Sequence, residues 1–126
     1  MKASQNLQEL DVRINDHPGG LVLKIAGDAG VTSVSRLDRE LARVATLHPP
    51  LVVLDLSSLE FIASMGMGAL LAFRRSVVRS GGTVRLAGAR PEVLDAIKRA
   101  ALNALFASCE NVEQALDQPE NCAGLC

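Results

Sequence analysis

The chain has 126 residues, enough for one domain with a single packed core, and 48 % of them are hydrophobic. With 13 basic and 14 acidic residues the net charge is −1, and the aromatics amount to Phe61, Phe73 and Phe106. That balance speaks against a nucleic-acid or anionic-membrane partner and leaves no aromatic platform on which bases would stack.

Residues 1–9 read as a loose lead-in, 10–118 as one α/β domain and 119–126 as a disordered tail. Met1–Asn6 leads into polar sequence and not a signal-peptide core. No stretch reaches the roughly 18 uncharged apolar residues of a membrane helix. A cytoplasmic protein without direct membrane insertion is therefore expected. Leu10, Val12 and Ile14 alternate with Asp11 and Arg13, the pattern of a strand with one wet face. Asn15–Gly20 is a dense turn signal, and Leu21–Ala26 returns as a more buried strand. Gly27–Gly30 breaks it. A helix follows, starting between Thr32 and Ser35, with Val34, Leu37, Leu41, Val44 and Ala45 at helical spacing. His48-Pro49-Pro50 ends it, because the residue before a proline is pushed out of the helical region.

Leu51–Leu56 is a short apolar run with prolines before it and serines after it, which suits a strand buried on both faces. A loop from Phe61 to Gly66 leads into a helix over 65–80, expected to bury Met67, Leu70, Leu71, Val77 and Val78. Gly66 and Gly68 open this helix although each costs about 1 kcal/mol against alanine. They allow close backbone approach, either of the protein's own sheet or of a partner. Arg74, Arg75 and Arg79 crowd the last turns, where cations suit the helix dipole. Gly81-Gly82 stops the helix and Thr83–Ala87 forms the next strand. The two strands and their helix make a right-handed parallel crossover, whose strand-end loop is a usual place for a site. Pro91 starts another amphipathic helix, with Val93, Leu94, Ile97, Ala101 and Leu102 as its apolar stripe. Leu105–Cys109 reads as a short edge strand, and Val112, Ala115 and Leu116 as a last small helix stopped by Pro119. The sum is a mixed sheet of four or five strands with about four helices.

The sequence holds no Walker loop and no dinucleotide fingerprint, and no Gly-x-Ser-x-Gly elbow surrounds Ser64. Cys109, Cys122 and Cys126 are odd in number and lack metal-ligand spacing, so reduced thiols are expected, with no metal and no cofactor. Asp55 and Glu60 are the acids nearest Ser64 in sequence. An acid and a serine alone make a weak catalytic set, so no enzymatic activity is expected.

The run Leu51–Leu71, followed by Gly81–Leu86 and by Pro91–Leu94 leading to Leu105-Phe106, resembles the anti-sigma-factor antagonists of the STAS domain family. The preceding hairpin with Gly27-Asp28 fits the same order, and the resemblance covers roughly residues 8 to 118. It implies a non-catalytic regulator. In that family a serine in an Asp-Ser-Ser-Gly loop is phosphorylated by a partner kinase that is also an anti-sigma factor. Ser64 matches that serine, with Ala63 in place of the acid and Met65 in place of the second serine. Gly30 stands near the usual second acid of the earlier loop, and Ala101 where a helix-ending glycine is common. The resemblance implies an anti-sigma factor or histidine-kinase-like serine kinase as partner. It would be bound through Asp28, Ala63, Met65, Gly66, Gly68 and Ala72. The alternative it leaves open is a non-phosphorylated adaptor of a lipid-transport ABC complex or signalling scaffold, joined to an ATPase subunit or to copies of itself.

Overall fold

The computed structural model describes residues 10–100 and 106–117. The expected lead-in, the tail, Cys122, Cys126, the helix positions Ala101 and Leu102 and the expected strand start Leu105 lie outside the described residues. The first hairpin joins β1 (Asp11–His17) to β2 (Gly20–Ala29) in antiparallel register from Asp11↔Ala26 to His17↔Gly20. The turn is therefore only Pro18-Gly19, tighter than the six-residue signal in the sequence. β1 is an edge strand covered only at its start. Leu10 is buried, while Ile14 stands 48 % exposed. Arg36 Nη1 donates to the Leu10 carbonyl at 2.5 Å and ties the first helix to this end.

β2 does not stop at Gly27. It bends there, with Gly27 at φ 92° and a register shift between Gly27 and Asp28. Glycine takes that positive φ without the strain a side chain would bring. Before the bend β2 pairs in parallel with β3 (Leu51–Asp55), from Leu21↔Val52 to Lys24↔Asp55. After it, β2 pairs in parallel with β4 (Leu59–Ile62), as Gly27↔Leu59, Asp28↔Phe61 and Ala29↔Ile62. β5 (Thr83–Ala87) and β6 (Ala107–Cys109) complete the sheet, in the order β1-β2-β3-β5-β6 with β4 on β2. The expected mixed sheet is present with one strand more than foreseen. The addition is β4, which forms where a loop is expected. Its burial runs buried, exposed, exposed, buried, so it lacks the alternation that marks a strand.

Three crossovers step the same way across the sheet. They carry α1 (Val34–Ala45), α2 (Ser64–Arg79) and α3 (Pro91–Arg99). Right-handed crossovers in one direction place all three helices on one face. Leu23, Ile25, Val52, Leu54 and Leu86 meet Leu37, Leu41, Leu70, Phe73, Val93 and Ile97 there in one core. α4 (Val112–Asp117) covers a smaller cluster of Val22, Val53, Ala87, Ala107 and Ala115 on the other face, where Arg85 Nη1 donates to the Ala115 carbonyl at 2.8 Å. β3 is thus buried on both faces, as its sequence implied. Cys109 belongs to this second cluster and is disulfide-bonded, which overturns the expectation of a reduced thiol there.

α1 begins at Val34 after a 3-10 turn at Val31–Ser33, and no hydroxyl caps it. α2 is rolled from the expected face. Gly66, Ala69, Leu70, Phe73 and Val77 are its buried residues, whereas Val78 is exposed and Met67 and Leu71 are half-buried. Positions 66, 70, 73 and 77 are the helical stripe.

Candidate functional site

The site of interest is the start of α2. Ala63 is its N-cap, at φ −90° and ψ 170°, with no side-chain cap bond, and Ser64 is the first helical residue. The serine therefore belongs to the helix itself, one residue after the cap. The Ala63 N–H donates to the Ala29 carbonyl at 3.1 Å, and the Met67 N–H to the Ala63 carbonyl at 2.9 Å. The β2–β4 ladder thus runs straight into the helix and holds its first turn against the end of β2.

This placement depends on Gly66. A Cβ there would lie 2.7 Å from the Ala29 carbonyl oxygen and 3.0 Å from Ile62 Cγ1. Gly66 is buried, so its close approach is to the protein's own sheet, and the partner-facing place expected for it is corrected. Gly68 is exposed, with nothing within 4 Å of where a Cβ would stand. Ala72 is exposed one turn further on. Ser64, Gly68, Ala72 and Ser76 thus form an open ridge of small residues at four-residue spacing.

Large apolar side chains are exposed on the elements that meet this start of α2. Met65 is 54 % exposed, Phe61 on β4 is 51 % exposed and Val31, just past β2, is 64 % exposed. Asp28 and Ala63 are half-buried. Asp28 pairs with Phe61 across β2 and β4, and its Oδ1 lies 2.8 Å from where a Cβ at Gly30 would stand. Phe61 shares the groove lining with Ser64, and Val31 opens the 3-10 turn that packs on α2, a place that sequence spacing does not reveal. Asp55 is turned elsewhere. Its Oδ1 accepts from the Ser57 N–H at 3.0 Å and from Ser57 Oγ at 2.7 Å, closing a turn after β3. Glu60 is exposed on β4. Among the described residues no group of three or more His, Cys, Asp or Glu is placed to hold a metal, and no helix is long and apolar enough to cross a membrane.

A groove of about 460 Å³ opens beside Ser64, between the start of α2 and the last turn of α3. Phe61, Ala63, Ser64 and Met67 line one wall, and Ala96 and Arg99 the other.

The STAS domain family model matches residues 9–115. The chain belongs to the STAS domain family. Among curated relatives, the anti-sigma-F factor antagonist RsfB of Mycobacterium tuberculosis is 31 % identical over 71 residues, which is 56 % of this chain and 58 % of that protein. The match thus spans little more than half the length of that relative. An anti-sigma factor antagonist from Mycobacterium paratuberculosis superposes with a TM-score of 0.78 at 25 % identity, over 86 % of this chain and 92 % of that one. The Bacillus cell fate determinant SpoIIAA in its phosphorylated form shares the fold, with a TM-score of 0.66 at 15 % identity, over 86 % of this chain and 99 % of that one. The fold of this STAS domain is that of the anti-sigma-factor antagonists.

Proposed function

We propose that this STAS domain is a non-catalytic regulator. It binds an anti-sigma factor or histidine-kinase-like serine kinase through the Ser64 turn and the open ridge of α2. Phosphorylation of Ser64 releases the partner. The observation that carries this reading is an exposed serine in the first turn of α2, with the exposed side chains of Phe61 and Met65 beside it. In the transfer, the γ-phosphoryl group of ATP passes to Ser64 Oγ, ADP leaves, and the hydroxyl proton goes to the kinase's base. The product adds about −1.5 to −2 charges beside unsatisfied backbone N–H groups. The helix end favours an anion by about 0.3–1 kcal/mol, so the fold is unharmed. Burying an unpaired dianion under a docked partner costs several kcal/mol, on the order of a hundredfold or more in affinity. That phosphorylated SpoIIAA keeps this fold supports a switch that acts on the interface and spares the core.

The test is incubation with ATP and the histidine-kinase-like anti-sigma ATPases of the source organism, with Ser64→Ala as control. Phosphate on the parent alone, with loss of binding, is the expected result. Equal labelling of the parent and Ser64→Ala would remove Ser64 from the scheme. The second reading is a non-phosphorylated adaptor in a transporter or scaffold, favoured by Ala63 and Met65, which make the surroundings of the hydroxyl apolar. It is marked by a stable complex with an ATPase subunit that ATP does not dissociate.

A further inference from the structure

The groove beside Ser64 has a one-sided charge. Among the described residues its lining is apolar apart from the Ser64 hydroxyl and one ionised side chain, Arg99, and no acid lines it. Arg99 stands in the last turn of α3, and α3 packs against β4, the strand that delivers Ser64. Arg99 Nη1 contacts the carboxylate of Asp95 one turn earlier on the same helix. Both side chains are exposed, at 70 % and 64 %, so water weakens that pair and the guanidinium is easily drawn away.

We propose that Arg99 is the internal receptor for a phosphate on Ser64. This rests on the switch reading above and adds a residue to it. A phosphoserine dianion outcompetes the single charge of Asp95, and a guanidinium presents paired N–H donors at the spacing of phosphate oxygens. Arg99 then leaves Asp95 and bridges the first turn of α2 to the last turn of α3. The groove is closed by the same event that adds the charge. A partner that seats a side chain in the groove loses that seat as well as meeting the anion. Ala63 in place of the family's usual acid suits this role, because no neighbouring carboxylate competes for the guanidinium inside the groove.

The experiment uses the full chain with phosphoserine encoded at position 64, so that no kinase is needed. The second ionisation of the phosphate is followed by ³¹P NMR. With Arg99 intact its midpoint should lie about 0.5 pH unit below that of the Arg99→Gln variant, since a nearby cation favours the dianion. Asp95→Asn should lower the midpoint further, and Lys98→Gln should leave it unchanged. Identical midpoints in the parent and Arg99→Gln overturn the assignment, as does a shift that follows Lys98 instead. Binding of the same proteins to the ATPase partner separates the two claims. Phosphate that still displaces the partner when the midpoints are identical leaves the switch standing without the bridge. An Arg99-dependent midpoint with unaltered partner affinity supports the bridge and sinks the switch.

Discussion

Gly66 and Gly68 are two residues apart and do opposite things. Gly66 is small because the Ala29 carbonyl leaves no space for a methyl group. Gly66→Ala should cost about 1–3 kcal/mol in forced packing, more than the roughly 1 kcal/mol of helix preference it recovers. Its Tm should fall. Gly68 faces open space, so Gly68→Ala should raise stability by about 1 kcal/mol. If the small ridge of α2 is a docking surface, the same change weakens partner binding while the domain melts higher. Thermal unfolding and calorimetric titration of both variants check this pair of opposed outcomes. Ser64→Asp puts an acid in the first turn of α2, where the dipole favours it by about 0.5 kcal/mol, so its Tm should rise by roughly 2 °C. A lower Tm would show that the charge disturbs the fold itself. The sequence presents the two glycines alike. Which of them packs inward depends on how α2 is rolled, and that is decided by Leu70, Phe73 and Val77 meeting the sheet.

At the scale of elements, β3 and β5 were legible as apolar runs of branched residues punctuated by Pro49-Pro50 and Gly81-Gly82. α3 was legible from Pro91 and its apolar stripe. β4 was not, since Glu60 and Phe61 are both exposed and break the alternation. The extension of β2 was hidden by Gly27, which reads as a breaker and acts as a bend. These two misses have one consequence for the site. The turn at Ser64 was visible, but the approach of the end of β2 and of the 3-10 turn after it to the start of α2 was not, because the β2–β4 ladder makes that neighbourhood. Arg99 was invisible for the same kind of reason, being 35 positions from Ser64 by residue number and near it only through the packing of α3 on β4. The ladder also makes the Ser64 turn sensitive to Gly27. Gly27→Val places a branched side chain at φ 92°, a conformation costing on the order of 1–3 kcal/mol. It should lower Tm and raise protease cleavage between residues 59 and 66. Cleavage unchanged from the parent would mean that the bend does not hold β4.

Over the whole molecule, stability is graded from the middle outward. Val52, Val53 and Leu54 of β3 are fully buried, with the large helical core on one face and α4 on the other. The far half of β1 is exposed, and α4 covers only the smaller cluster. Hydrogen exchange should be slowest in β2, β3 and β5 and fastest at the end of β1 and in α4. The Ser64 turn of α2 lies against the end of β2, so it is held by the rigid part of the sheet, and a partner docking there as proposed would meet a surface already ordered. This is why added charge at Ser64 is expected to alter the surface a visitor meets and to leave the core of the domain undisturbed. The affinity of the parent and of Ser64→Asp for the same anti-sigma ATPase, measured by calorimetry, tests that claim most directly. The expected result is binding weakened about tenfold or more by a variant that melts no lower than the parent. Equal affinity for the two proteins would contradict it.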